Sequence, residues 1–171
     1  MGIKRSHLFH VDSTMNQLRN AIYHLARLME NSAEKEINVN EKLRDMGRNI
    51  ARTFVNYWKP IDIVNKTNLK DVLKTIYHTI LGSSISIEVN NNEKLILVKD
   101  YKCPLCRYPY SDLSIAGCEI LLGMVSEFIN LINKDSSETS KVFLDPFEVK
   151  ASQAIGHDHC LQVFKYNVGG G

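Results

Sequence analysis

The sequence predicts an α+β domain: N-terminal helices packed with a small antiparallel sheet, and one long helix in the C-terminal half. Three observations predict it. Apolar residues recur at spacings of three and four through the first half of the chain, which is the period of an amphipathic helix. From Ile85 the period changes to two, as in a half-buried strand. A long apolar stretch then separates two extended pairs, so the order is helix, helix, helix, strand pair, helix, strand pair. That order argues for helices segregated from an antiparallel sheet rather than for alternating parallel units.

Residues 1–12 read as a flexible N-terminus, 13–167 as a single domain and 168–171 as a flexible tail ending in glycines. The first helix carries Met15, Leu18, Ile22, Leu25 and Met29 as one apolar seam. The seam is too short to define a coiled coil, and it serves packing on its own domain or on a second copy. Asn40 is a candidate cap for a second helix with Leu43, Met46, Ile50, Phe54 and Tyr57 inward, and Pro60 stops it. Asn68 starts a third helix with Val72, Leu73, Ile76 and Ile80 inward, and Gly82 stands where a left-handed C-cap is expected. Ile85, Ile87 and Val89 alternate with polar residues, Asn90-Asn91-Asn92 supplies the turn, and Leu95 and Leu97 continue the hairpin. A loop broken by Pro104 and Pro109 follows, then a helix over about 115–133 and a polar connection over 134–138. Two more strands are expected at 142–154 and 160–166, turning at Gly156-His157-Asp158-His159.

The composition narrows the function. Hydrophobic residues make up 44% of the 171 positions, enough for a real core, and the formal charge is only +2 with scattered basic residues. Without a cationic stripe, nucleic acid is not the expected partner. No transmembrane segment is expected either, because the longest apolar stretch, Leu113 to Ile132, carries Glu119 and Glu127. The start Met1-Gly2-Ile3-Lys4 has no secretory apolar run behind it, so the expected location is cytoplasmic. Gly2 also fits the minimal myristoylation pattern, a signal short enough to arise by chance.

Four cysteines in a reducing compartment more often bind metal than pair. Cys103-Pro104-Leu105-Cys106 has the spacing at which two thiolates chelate one ion from a tight turn. Cys118 lies near the start of the fourth helix, where the helix terminus favours thiolate over thiol. Cys160 follows a turn bearing His157 and His159, which are the alternates should one cysteine be displaced. The four sulfurs suit a closed, structural zinc site with no open position for water. Two other readings stand beside it: free buried cysteines acting as small hydrophobes, and a redox dithiol or another metal. A redox pair normally opens a helix, and Arg107-Tyr108-Pro109 makes that continuation improbable.

These segments resemble a known superfamily. Cys103 to Cys106, then Cys118 opening an apolar helix with Gly123, then Gly156-His157-Asp158-His159-Cys160 resembles the 4-vinyl-reductase domain, a hydrocarbon-binding module common in archaea and bacteria. That family typically has a further cysteine four residues before the glycine, where this chain has Ser152. The helical half is similar to the small subunits of the TRAPP vesicle-tethering complex. Val39 to Ile50 resembles their second helix, Leu73 to Gly82 their third, and Cys118-Glu119-Ile120-Leu121-Leu122-Gly123 the start of their long C-terminal helix. The resemblance covers about Ser13 to Tyr166 and implies an archaeal member with a TRAPP-like fold, dimerisation through N-terminal helices and an apolar pocket. Some TRAPP subunits take up an acyl chain on a cysteine before the third helix. This chain has no cysteine between Trp58 and Leu81, so such acylation is not expected.

The leading expectation is a non-enzymatic homodimeric binding or scaffold domain with a structural zinc, binding a small apolar ligand. Phe54, Trp58, Ile76, Ile80, Leu121 and Val125 are candidate pocket lining, although apolar residues at helical spacing are usually core. The second reading is a TRAPP-like subunit assembling with partner subunits of the same fold, marked by an apolar patch beyond the dimer seam. A reductase-type enzyme is the third, and it lacks support: the sequence carries no dinucleotide fingerprint and no nucleophile–base motif.

Overall fold

The computed structural model describes residues 5–32, 38–134, 138 and 140–169, with side chains described from Asp12 onward. Gly2, Gly170–Gly171 and residues 135–137 of the polar connection lie outside the described residues. The elements are α1 (Arg5–Glu30), α2 (Val39–Phe54), α3 (Leu69–Leu81), β1 (Ile85–Asn90), β2 (Leu95–Asp100), α4 (Glu119–Lys134), β3 (Val142–Ala151) and β4 (Cys160–Val168). The expected α+β class is therefore the observed one. Strands run in the order β1-β2-β4-β3, antiparallel throughout. The helix α1 extends through residues 5–12, where the sequence predicts a flexible start.

Local chemistry explains most boundaries. Asn38, rather than the expected Asn40, caps α2: its side-chain oxygen accepts from the Glu41 N–H at 3.1 Å, so the helix begins earlier. Gly82 closes α3 at φ 64°, where it receives the left-handed conformation at no steric cost. In the β1–β2 turn the Asn90 Oδ1 accepts from the amides of Asn92 and Glu93, an Asx turn that fixes the hairpin register. The helix expected at 115–133 begins at Glu119, because Ala116 and Gly117 form tight turns whose carbonyls accept from Glu119 and Ile120. The third strand stops at Ala151 instead of 154, since Gln153–Ile155 forms a 3₁₀ turn under the Ser152 side chain.

The α2 face differs from the expected one. Leu43, Gly47 and Ala51 are buried, while Ile50 is exposed and Tyr57 lies beyond the helix, 83% exposed. The reason is the approach of α4. A Cβ on Gly47 would run into the Ile120 carbonyl oxygen and stand 2.7 Å from the Met124 nitrogen. A Cβ on Gly123 would collide with the Arg44 carbonyl, 2.7 Å from its carbon. Two helix backbones thus touch through paired glycines, and the small residues rather than the large ones face the partner. The acids seen inside the apolar stretch are paired across this crossing: Glu119 with Arg44 at 2.6 Å and Glu127 with Arg52 at 2.8 Å. Burial raises Glu119 above the usual carboxylate range, a rise that the Arg44 guanidinium opposes without cancelling.

The helix α4 lies between α2 and the sheet and is buried along nearly its whole length. No helix among the described residues is long and apolar enough to cross a membrane. At its end, the fully buried Asn133 ties three segments. Its Oδ1 accepts from Val64 N–H at 2.8 Å, and its Nδ2 donates to the Val64 carbonyl at 2.8 Å and to the Val142 carbonyl at 2.7 Å. Asn133→Leu keeps the branched shape but strands the Val64 amide and takes a donor from the Val142 carbonyl, while the Val64 carbonyl keeps its bond from the Val142 N–H at 3.0 Å. Each orphaned buried group costs about 1–3 kcal/mol, so the melting temperature should fall by roughly 5–10 °C. A thermal scan showing no change would mean that water replaces these bonds.

Candidate metal centre

Four sulfurs meet where the sheet, α4 and the 102–118 loop converge. In the knuckle, the Cys106 N–H donates to the Cys103 carbonyl at 3.3 Å, a tight turn that turns both thiols to one side. Cys118 stands immediately before α4, with its carbonyl accepting from Leu122 at 3.0 Å as the helix's first turn. Cys160 opens β4 opposite Asp100 on the inner face of the sheet. The Sγ atoms of Cys103, Cys106, Cys118 and Cys160 all lie within 4.8 Å of one another, and all four residues are buried and unpaired by disulfides. Ligands at a zinc–sulfur distance of about 2.3 Å in a tetrahedron stand roughly 3.8 Å apart, so a small contraction closes the cluster on one ion.

The surroundings fit a thiolate cluster. Ser152, fully buried, places its Oγ 3.9 Å from the Cys118 sulfur and 3.7 Å from the Cys160 sulfur. The Gln153 amide donates to Cys160 Sγ at 3.5 Å, and the Tyr23 hydroxyl donates to Cys106 Sγ at 3.5 Å. Burial opposes ionisation of Cys106. The thiols of Cys103, Cys118 and Cys160 and the Ser152 hydroxyl nevertheless donate to it and hold it well below the usual thiol range. Cys103 and Cys118 go well above, the former chiefly through its bond to Cys106 and the latter through its bond to Cys103. A dry site disfavours several thiolates side by side without a cation, and a dication relieves that repulsion and lets the sulfurs ionise. Burial, then the neighbouring Cys106, also pushes the Tyr23 hydroxyl far up, so it remains a donor.

A redox dithiol needs an exposed thiolate that an attacking sulfur can reach, and burial at 1% or less exposure removes that access. Four convergent sulfurs with outer hydrogen bonds are also more than inert packing requires. Neither alternate histidine enters the cluster. His157 is exposed, and His159 is hydrogen-bonded to Asp158 and set against the Tyr101 ring.

The helix α1 docks on the loop that carries the knuckle. The buried Arg19 donates from Nε and Nη2 to the Pro104 carbonyl at 3.0 and 2.9 Å. The Gly117 amide donates to the Tyr23 hydroxyl at 2.9 Å, and Arg27 pairs with Asp112 at 2.5 Å. Of the seam residues, Ile22 turns into the core, Met15 and Met29 are half-buried, and Leu18 and Leu25 are exposed beside Leu28. Of the candidate pocket residues, Ile76, Leu121 and Val125 are core, and Ile80 packs against that core. Phe54 and Trp58 join Phe128, with Trp58 stacked on Phe128 at 5.8 Å.

Nothing local in the sequence marks Arg19, Tyr23 or Gln153 as part of this site. Only Ser152 had a signal, as the position where the resembled family carries a cysteine.

No family model matches the chain, and no curated protein matches it. Among solved structures it is similar to a trafficking protein particle complex subunit 3 from Naegleria fowleri, solved covalently bound to palmitic acid. That match has a TM-score of 0.62 at 13% identity and covers 90% of this chain and 95% of that one, so the fold is TRAPP-like. A weaker likeness, at TM-score 0.42 and 10% identity, is to the phenol-responsive sensory domain of the transcription activator PoxR with phenol, covering 86% of this chain and 73% of that chain.

Proposed function

We propose that this chain is a non-enzymatic binding and scaffold domain whose C-terminal half is stapled by one structural zinc. Cys103, Cys106, Cys118 and Cys160 would hold the ion, and the domain would act as a homodimer through α1. The observation that carries the reading is the convergence of four buried sulfurs from a loop, a helix start and a strand. Zinc would supply no chemistry to a substrate there, because four sulfurs complete a tetrahedral shell. Ser152, Gln153 and Tyr23 would orient the sulfurs and spread their charge. The exposed Leu18 and Leu25 of α1 support the dimer, since they gain burial only from another molecule.

A TRAPP-like role in assembly with partner subunits is the second reading. It is favoured by a separate groove on α2, in addition to the α1 face, where Met46, Ile50, Phe54 and Tyr57 stand beside the polar Lys42, Asp45, Asn49 and Thr53. The Naegleria neighbour is a subunit of such a complex. A small apolar ligand, if taken up beside Phe54, Trp58 and Phe128, would be held without a covalent bond. The chain has no cysteine between Trp58 and Leu81.

Light scattering tests the dimer. The expected mass is twice the 19.5 kDa chain, and Leu18→Glu with Leu25→Glu should shift it to one chain at micromolar concentration. A wild-type monomer under those conditions contradicts the homodimer. A dimer unmoved by the double variant places the interface elsewhere.

A further inference from the structure

On the outer side of the knuckle, α1, the C-terminus of α3 and the 101–107 loop enclose a cleft of about 570 Å³, a size suited to a small molecule. Its wall carries three cations, Arg19, Lys102 and Arg107, against one acid, Asp12. None of the three cations has an ion pair among the described residues, and neither does Asp12. Arg19 is the telling member. It is 3% exposed, and among the described residues its guanidinium meets neutral groups: the Pro104 carbonyl, the Asn16 side-chain oxygen at 2.6 Å and the face of Tyr108. No carboxylate among the described residues pairs directly with Arg19, so an anion brought into the cleft would be its first direct charged partner. Nη1 and Nη2 each keep a second N–H beyond the protein bonds, so the fork retains donors for such a group. Met15, Leu81 and Pro104 add apolar wall between the charges.

We propose that this cleft binds a small organic anion, a carboxylate or phosphate monoester with a short apolar body. Arg19, Lys102 and Arg107 receive the head group, and Met15 and Leu81 cover the tail. The cleft borders the metal centre, since Cys103 also lines it, so binding is compared within a single metal state.

Titration of the full chain, in the metal state in which it purifies, tests the proposal with hexanoate, hexyl phosphate and the neutral 1-hexanol, read by amide shifts. Saturable shifts at Gly82, Ser83, Lys102 and Arg107 are expected with at least one anion and not with the alcohol. The tighter anion identifies the head group. Lys102→Ala with Arg107→Ala removes two exposed side chains that make no structural hydrogen bond, and should weaken binding at least about tenfold. The absence of saturable shifts from both anions up to about 10 mM overturns the site. So does equal binding of hexanol, or full affinity in the double variant.

Discussion

Cys106→Ser is expected to lower the melting temperature by roughly 10 °C or more, and a strong zinc chelator applied to the native chain should do the same. Structural zinc sites contribute about 10–16 kcal/mol of apparent binding free energy near neutral pH, and in a closed site that energy is folding energy. A hydroxyl is a poor replacement for a thiolate, so losing one of four ligands removes a large part of it. The loss should be local before it is global. The knuckle anchors the 102–118 loop, and the loop anchors α1 through Arg19, Tyr23 and Arg27. Amide exchange in chelator-treated protein should therefore rise first in 102–118 and in α1, while the α2–α4 pair holds. If Cys106→Ser melts within about 2 °C of the native chain, the sulfurs are packing groups and not a staple.

Gly123→Ala should destabilise the fold by about 3 kcal/mol or more, a drop of roughly 6–12 °C. The sign is the informative part. On helix propensity alone, alanine is better than glycine by about 1 kcal/mol, so an isolated α4 would gain. Here the new methyl would enter the Arg44 backbone, which cannot rotate away as a side chain could. Gly47→Ala meets the Ile120 and Met124 backbone from the other side and should behave alike. The ion pairs Arg44–Glu119 and Arg52–Glu127 flank the crossing, so parting the helices also strains them. Urea denaturation of both variants checks this, and a gain in stability from either would show that the helices do not touch there.

That crossing also marks where sequence reasoning reached its limit. Helix existence, the β1–β2 hairpin and the Gly82 cap were legible because each depends on residues close in sequence. The inner face of α2 was not. Periodicity weighs large apolar side chains, and it placed Ile50 and Tyr57 inward, whereas contact between two backbones selects for missing side chains and put Gly47 and Ala51 there. Asn38 displaced Asn40 as cap because both positions carry a good cap and only the loop entry decides between them. The cysteines were legible through the Cys103–Cys106 spacing, and their convergence agrees with the cluster expected from sequence. Of their outer partners only Ser152 had a sequence signal, whereas Tyr23 reaches Cys106 across 83 residues of chain, a contact no local pattern reports.

The most direct test of the central claim is metal content by elemental analysis of freshly purified, reduced protein, paired with native mass spectrometry and zinc-edge absorption. One zinc per chain, coordinated by four sulfurs at about 2.3 Å, is the predicted result. Protein that is folded, reduced and free of metal, with no uptake of added zinc, would contradict it.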